Sequence, residues 1–346
     1  MPADIPLPDA DHTLAPLAAH DSLLLAVSGG PDSMALMLLA ARWSLRETKR
    51  IAVATVDHGL RPEAAEEARR VGEWARALGF EHHILRWEGE KPRSRIQERA
   101  RDARYRLLAD CARTVGASAI VAAHHADDQA ETILFRLTRG SGVAGLAGMA
   151  PASRLDGLAL LRPLLGLRKQ ALEALCEAAG QPFFRDPSNE NPAYARVRLR
   201  SLSALLAEQG LSVDALLRLS ARAARAEEAL VEAAAEAAAA LPAMRDASTF
   251  RVAAAPMAAL PRELLRRVVA AEVMRIGGAE PRLERQERAC ERLHEALAAG
   301  ASFKTTLGGV TIALATHALT IRPEPPRRRG SPAVKKPCGA DPMTKR

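Results

Sequence analysis

Residues 28–33 have the sequence SGGPDS and directly follow the apolar run LLLAV at residues 23–27. Two adjacent glycines let the backbone turn sharply with its amide groups exposed. The helix predicted to begin here adds free N–H groups and the positive end of its dipole, and two serine hydroxyls add further donors. The sequence therefore predicts an anion-binding loop between a buried strand and a helix.

This loop differs from the two best-known phosphate-binding motifs. No Gly-Lys-Ser/Thr triplet follows it, so it is not a Walker A loop, and the spacing G-x-G-x-x-G is missing, so it is not a Rossmann fingerprint. Asp32 is a further distinguishing feature of this loop. A carboxylate beside a phosphate is repelled unless a cation such as Mg²⁺ bridges the two. The alternative interpretation is an ordinary Gly-Pro turn capped by Ser or Asp.

Strands and helices alternate on both sides of the loop. The predicted strands are at residues 23–27, 51–56, 82–87, 118–123 and 159–161. The predicted helices are at residues 33–46, 63–79, 94–115, 127–138 and 168–180. This order predicts an α/β fold, a parallel sheet with helices on both faces. Because the connections are right-handed, the loops that follow the strands should gather at one edge of the sheet, where ligands bind in such folds.

The chain changes character after Gln181. A turn-rich segment, PFFRDPSNENP, is followed by a mainly helical region with predicted helices at 214–240, 261–276 and 281–299. A β-like end follows, in which Gly308-Gly309 suits a hairpin turn. We predict three parts, namely a catalytic nucleotide-binding domain at 1–205, a smaller mainly helical domain at 206–325 and a disordered basic tail at 326–346.

A second motif, HHADDQAET at residues 124–132, begins where the strand at 118–123 ends. Asp127 and Asp128 suit the first turn of a helix, and either one shares a helical face with Glu131. Because the motif follows a strand, it should face the same crevice as SGGPDS. Its carboxylates suit Mg²⁺ beside a bound phosphate and a cationic amine, while a transition-metal site and a capped helix with solvated charges remain the alternatives.

Composition limits the class of protein. The chain has 346 residues, of which 48% are apolar and 26% are charged, as in a soluble globular protein of about two domains. The four cysteines form no C-x-x-C pair, so we expect a reduced, cytosolic protein. The first 20 residues contain no Lys or Arg, and no apolar run is long enough to cross a bilayer, so neither a signal peptide nor a membrane helix is expected.

The basic net charge gives only weak support for nucleic-acid binding. The formal charge is +8, but residues 322–346 alone carry eight basic and two acidic residues. The rest of the chain is therefore nearly neutral, and charge does not show by itself that the folded part binds RNA.

SGGPDS resembles the SGGxDS signature of the PP-loop ATP pyrophosphatases, and further motifs narrow the resemblance to the bacterial tRNA(Ile)-lysidine synthetase family. These motifs are VDHGLR at 56–61, ARDARYRLL at 100–108, HHADDQAET at 124–132, RGSGVAGLAGM at 139–149, LLRPLL at 160–165 and the D-x-S-N element at 186–189, with weaker matches in LPRELLRRVV at 260–269 and LGGV at 307–310. One departure is that Arg196-Val197 stands where the family usually has Arg-Asn, although Arg200 remains.

The resemblance implies a Rossmann-like PP-loop domain and a ligase that attaches L-lysine to C2 of the wobble cytidine, position 34, of the isoleucine tRNA with a CAU anticodon. ATP yields AMP and pyrophosphate through an adenylated intermediate, and codon reading changes from AUG to AUA. The implied ligands are ATP, Mg²⁺, free L-lysine and this tRNA, with the helical domain holding the rest of the RNA. No membrane is implied, and a homodimer is left open.

The resemblance and the motifs together assign roles to residues. The catalytic candidates are Asp32, Asp127, Asp128 and Glu131. The ATP-binding candidates are Ser28, Gly29, Gly30, Pro31, Asp32, Ser33, Asp57 and His58, with Asp32 also the candidate Mg²⁺ ligand. The substrate-binding candidates are Arg104, His124, His125, Arg196 and Arg200. A lysine ammonium with a pKa near 10.4 needs a carboxylate to hold it and help deprotonate it. Which of the three carboxylates in HHADDQAET does so is left open.

Two rival functions belong to different classes. One is another PP-loop enzyme, such as a tRNA thiolase, for which paired cysteines are expected, or a glutamine-dependent amide synthetase, which needs an amidotransferase. The other is a non-enzymatic ATP sensor, against which Asp32 and the acidic motif argue. Pyrophosphate release that depends on both lysine and tRNA would distinguish the synthetase from both rivals.

Overall fold

The computed structural model describes residues 6–89, 91, 96–185, 195–315 and 317–325, and of these the side chains of Gln97 and residues 195–197 are not described. The chain divides into two compact units, Met1–Glu227 and Glu228–Arg346, with the division inside one long helix. The predicted functional boundary at residue 205 stays a prediction. The predicted basic tail and the D-x-S-N element lie outside the described residues.

The first unit is an α/β layer structure. Its strands are β1 (Ser22–Ala26), β2 (Arg50–Asp57), β3 (Glu81–Arg86), β4 (Ala119–Ala122), β5 (Ala152–Leu155) and β6 (Leu158–Leu161). Its helices are α1 (Ala10–Leu14), α2 (Pro31–Ser44), α3 (Ala64–Ala77), α4 (Ile96–Thr114), α5 (Ala126–Leu137), α6 (Val143–Leu146), α7 (Lys169–Ala178), α8 (Ala195–Ser201), α9 (Ser203–Glu208) and the first part of α10 (Val213–Ala240). A short 3₁₀ turn, Ala15–Leu17, follows α1.

The six strands form one sheet in the order β3-β2-β1-β4-β6-β5. All neighbouring pairs are parallel except β5 and β6, which are antiparallel. The chain runs outward from β1 through β2 to β3 and then crosses back to β4 on the other side of β1. The carboxyl ends of β1 and β4 are therefore adjacent, with Ala26 opposite Ala122, at the switch point where open α/β sheets bind ligands.

The central strand β1 has apolar residues on both faces because helices cover both sides of the sheet. Leu23 and Leu25 pack into the core that includes α2 and α7, whereas Leu24 packs into a second core with Leu108 of α4. All three leucines of β1 are almost fully buried. Burial of each contributes roughly 2 kcal/mol, so the strand that precedes SGGPDS is firmly held on both sides.

The predicted α/β class is confirmed, and the five predicted strands correspond to β1, β2, β3, β4 and β6 with small shifts at their ends. The edge strand β5 was not predicted. Its sequence, ASRL, has little apolar alternation, but the following Asp156-Gly157 turn, in which both residues have positive φ, is a typical hairpin signal.

The second unit combines helices with a sheet. Its helices are the end of α10, α11 (Ala254–Ala258), α12 (Arg262–Gly277) and α13 (Leu283–Ala299). Its strands, β7 (Met244–Arg245), β8 (Phe250–Ala253), β9 (Phe303–Leu307), β10 (Val310–Ala315) and β11 (Ala318–Pro323), form an antiparallel sheet in the order β7-β8-β11-β10-β9. The sequence predicted a β-like end with a hairpin turn at Gly308-Gly309, which lies between β9 and β10, but it did not predict β7 and β8. None of the described helices combines the length and apolar character needed to cross a membrane.

Candidate active site

The loop SGGPDS leaves β1 and enters α2 through a backbone shape that requires glycine. Gly29 has φ of +86°, and a Cβ atom built there would lie 2.8 Å from Phe184 Cδ2 and 2.9 Å from Val71 Cγ2. The Phe184 amide donates a hydrogen bond of 2.8 Å to the Gly29 carbonyl. A side chain at residue 29 would therefore be strained and would also displace the aromatic ring.

Hydroxyl groups hold the loop closed. Ser33 Oγ accepts the Ser28 amide hydrogen at 3.1 Å, donates to the Gly30 carbonyl at 2.9 Å and lies 3.3 Å from Ser28 Oγ. Gly30 is the N-cap of α2 and Pro31 follows it at the first helical position, with no side-chain cap hydrogen bond in the described structure. The first amide groups of α2 are thus available to an anion, as the sequence predicts.

The second motif begins α5 on the neighbouring strand. His125 is the N-cap, and its Nδ1 accepts the amide hydrogens of Asp127 at 3.2 Å and Asp128 at 3.4 Å. In return, Asp128 Oδ2 accepts the His125 amide hydrogen at 3.2 Å. This reciprocal capping box fixes the start of α5 and orients the His125 ring.

His125 connects the two motifs. Its ring is only 4% exposed, and its Nε2 lies 3.5 Å from Asp32 Oδ2 and 3.5 Å from Asp128 Oδ2. The amide groups that face Nδ1 oppose a proton on that atom, so we place the retained hydrogen on Nε2, between the two carboxylates.

One oxygen of Asp32 is left without a donor. Asp32 Oδ1 is buried and makes no hydrogen bond to any described residue, while Oδ2 has only the charge contact with His125. A buried carboxylate oxygen without a partner is unfavourable, so this atom suits a ligand-supplied cation or donor. Among the described carboxylates of the two motifs, Asp32 is therefore the one with a buried oxygen that no donor reaches.

Asp127 has a different role in the structure from the other carboxylates of its motif. Its Oδ2 accepts the Lys169 amide hydrogen at 2.8 Å, and its Oδ1 lies 3.2 Å from Arg168 Nη2. Burial raises the pKa of this carboxyl, but the hydrogen bonds from the Lys169 amide and from Arg168 outweigh burial and hold the pKa well below its usual range. Asp127 thus stabilises the start of α7 and is already occupied.

Glu131 lies one helical turn further along α5 and pairs with an arginine from α8. Arg200 Nε donates to Glu131 Oε1 at 2.7 Å, and Glu131 is nearly buried. The pKa of Arg200 is raised chiefly by Glu131, with further contributions from Asp128 and Asp32. Arg200 therefore belongs to the same cluster as the two motifs. The backbone of Arg196 lies in α8, while its side chain is outside the described part of the molecule.

A second group of predicted residues lies at the end of β2. Asp57 is buried, and its Oδ1 accepts the Gly59 amide hydrogen at 2.8 Å. The pKa of His58 is lowered by burial and then by the charges of Arg104 and Lys91, against the opposing effect of Asp57. This group is basic on balance, in contrast to the acidic cluster around His125. The remaining candidate, His124, is half-buried between β4 and α5.

Several supporting residues were not predicted from the sequence. Gln129 holds the loop after α5, because its Oε1 accepts the Met149 amide hydrogen at 2.7 Å and its Nε2 donates to the Met149 carbonyl at 2.9 Å. Cys176 Sγ donates to the Pro31 carbonyl at 3.4 Å from α7. Gln129 lies inside the HHADDQAET motif, which gave a signal, whereas nothing in the sequence around Cys176 indicates its contact with the loop.

The sheet order and the loop at the switch point define the class of protein, a PP-loop domain. Residues 8–206 match the family model described as a PP-loop domain. The solved U34-tRNA thiolase NcsA from Methanococcus maripaludis with its [4Fe-4S] cluster is similar to this chain in fold. It has a TM-score of 0.52 and 14% identity, over 62% of this chain and 77% of that chain.

Curated relatives identify the family within this class. A tRNA(Ile)-lysidine synthase from Methylobacterium sp. (strain 4-46) is 53% identical over 89% of this chain and 90% of the relative. Another from Bradyrhizobium sp. (strain BTAi1 / ATCC BAA-1182) is 48% identical over 93% of this chain and 95% of the relative. The chain belongs to the tRNA(Ile)-lysidine synthase family.

Proposed function

We propose that this chain uses ATP to attach L-lysine to C2 of the wobble cytidine, position 34, of the isoleucine tRNA with a CAU anticodon, changing its codon reading from AUG to AUA. As a member of its family the chain is an ATP-dependent, tRNA-modifying ligase. The observation that carries the site assignment is the 3.5 Å contact between Asp32 of the PP-loop and His125 of the acidic motif. This contact supports the proposal because it joins the loop proposed to bind phosphate to the motif whose carboxylates are proposed to bind the amine.

ATP supplies the activation in the first step. The amide groups at the start of α2 and the hydroxyls of Ser28 and Ser33 are suited to hold its phosphates. The O2 atom of cytosine forms a bond to the α-phosphorus, and the bond from that phosphorus to pyrophosphate breaks. The wobble base lies in an unpaired anticodon loop, so it can enter the crevice without melting a duplex.

Mg²⁺ fits the surroundings of Asp32, since the buried Oδ1 has no donor among the described residues. The described His, Cys, Asp and Glu side chains form no group of three or more arranged to hold a metal by themselves. We therefore propose that Asp32 holds the ion together with the phosphates of ATP, which is the usual mode for Mg²⁺. When bound, the ion would offset the negative charge of the departing pyrophosphate.

The second step needs a carboxylate for the lysine ammonium, and the contacts favour Asp128. Both oxygens of Asp127 are engaged at α7, and one oxygen of Glu131 is paired with Arg200. Asp128 is only partly buried, and its Oδ1 makes no hydrogen bond to a described residue. Asp128 would accept a proton from the ammonium, the amine would form the bond to C2, and the bond from C2 to the AMP oxygen would break.

We place this reaction in the cytoplasm, in keeping with the three described cysteines, which are free and buried. The experiment that tests the function is mass spectrometry of isoleucine tRNA after incubation with the protein, ATP and L-lysine. One cytidine should gain the mass of lysine less one water, because O2 leaves with AMP. Omission of lysine or ATP is the control. An unchanged anticodon loop under conditions where ATP is bound would contradict the proposal.

A further inference from the structure

The two halves of the candidate active site are joined by one side chain. Asp32 comes from the loop after β1, and Asp128 comes from the helix after β4. Their Oδ2 atoms each lie 3.5 Å from His125 Nε2, so the two oxygens are at most 7 Å apart. Like charges at this separation repel each other, and more strongly in a partly buried crevice than in water.

The orientation of the His125 ring is fixed from the other side. Nδ1 accepts the amide hydrogens of Asp127 and Asp128 at the start of α5. That contact makes Nδ1 the acceptor, and the hydrogen on Nε2 then lies between the carboxylates of Asp32 and Asp128. Nδ1 therefore holds the ring at the helix cap, and Nε2 faces the two carboxylates of the candidate active site.

We propose that His125 is a positioning residue that holds the Asp32 and Asp128 carboxylates close to each other. Adenylation of the cytidine and attack by the lysine amine can then occur at one reaction centre. The inference deepens the proposed function and rests on it. It assigns no contact between His125 and substrate. The Nε2 hydrogen draws both carboxylates toward one point and offsets their repulsion, whereas the Nδ1 acceptor only supports the fold.

Two substitutions separate the roles of the two nitrogens. His125→Asn places an amide oxygen near the position of Nδ1, so the helix cap is kept and the Nε2 contact is lost. His125→Gln places an amide nitrogen near the position of Nε2, so a donor toward the two carboxylates is kept and the cap acceptor is lost. Urea unfolding reports the cap, and steady-state lysine ligation to tRNA reports the positioning.

We expect the two His125 variants to rank in one order by kcat and in the opposite order by urea midpoint. His125→Asn should keep a near-wild-type urea midpoint but lose about 100-fold in kcat, with smaller changes in KM for ATP and lysine. His125→Gln should have the lower urea midpoint, yet its kcat should be at least about 10-fold above that of His125→Asn. A purely structural histidine would give the reverse order, and that result would overturn the proposal.

His82 provides a control for substitution of a histidine outside the candidate active site. It lies on β3, where its Nε2 is 2.9 Å from Thr55 Oγ1. His82→Gln should leave kcat at the wild-type level when assayed well below its unfolding midpoint. Failure of the proposed function is distinguishable, because wild-type protein would then yield no lysine adduct. A wild-type adduct with equal kcat in the two His125 variants would overturn the positioning role alone.

Discussion

Two carboxylates, one in each compact unit, have opposite surroundings. Glu272 of α12 has a side chain only 8% exposed, and each of its oxygens is paired, with Arg245 Nε at 2.8 Å and with Arg275 Nε at 2.7 Å. Asp32 of α2 has one charge contact, with His125, and its other oxygen is buried without a donor among the described residues.

The two environments indicate which carboxylate is structural. The guanidinium groups around Glu272 also donate to backbone carbonyls, from Arg275 to Asp246 and Thr249 and from Arg245 to Ala238. That cluster needs no ligand to complete its hydrogen bonds. An incompletely paired buried charge reduces stability, and proteins retain such groups chiefly where function requires them. We therefore interpret Asp32 as functional and Glu272 as structural.

The largest effect should come from neutralising Asp32. Asp32→Asn keeps the shape of the side chain but removes the charge beside the phosphates, so pyrophosphate release in the presence of tRNA and lysine should fall by about 1,000-fold or more. Asp21→Asn is the control, since Asp21 is exposed on β1's amino side. Pyrophosphate release near the wild-type rate in Asp32→Asn would contradict the assignment of the loop.

Neutralising Glu272 should affect stability and leave chemistry alone. Glu272→Gln leaves two arginines without their shared partner, and because both are partly exposed we expect a loss of about 2–3 kcal/mol in the free energy of unfolding. Urea titration followed by circular dichroism measures this loss. Glu284→Gln, which removes an exposed pair with Arg288, should change it by less than about 0.5 kcal/mol. A reduced kcat in folded Glu272→Gln would contradict the interpretation of Glu272 as a structural carboxylate.

Asp128 should show an effect on lysine rather than on ATP. Loss of one charged hydrogen-bond partner of the ammonium predicts a rise of about 10- to 100-fold in KM for lysine in Asp128→Asn, while tRNA-dependent adenylation persists. Glu131→Gln should have a smaller effect, because Glu131 is already paired with Arg200. If both variants lost adenylation and kept their lysine dependence, the cluster would belong to ATP-Mg²⁺ binding instead.

The smallest effect concerns Asp127, which resembles Glu272 in being fully occupied. Its folded-state pKa is lowered, so its stabilising contribution is present above the unfolded pKa of about 3.9 and is lost as pH falls through the lower folded value. Asp127→Asn should therefore be less stable than wild type by about 1 kcal/mol at pH 7. The difference should shrink below pH 4, and urea midpoints measured at several pH values would show whether it does.

The sequence predicted that the two motifs lie close together, but it did not predict which carboxylates are already paired within the protein. Apolar runs such as LLLAV predict buried parallel strands, and strand order then brings SGGPDS and HHADDQAET to one edge. The partner of Asp127 is Arg168, more than 40 residues away, and no local pattern indicates that contact. The Glu272 cluster was missed for the same reason, because Arg245 lies on the short strand β7, which has no periodic signal.

We infer that the incomplete surroundings of Asp32 serve function rather than folding. The most direct test compares the free energies of unfolding of wild type and Asp32→Asn in urea without ATP. We predict that Asp32→Asn is within about 0.5 kcal/mol of wild type or more stable, because the substitution removes a poorly solvated charge. A loss of stability as large as that of Glu272→Gln would contradict the claim and identify Asp32 as a structural carboxylate.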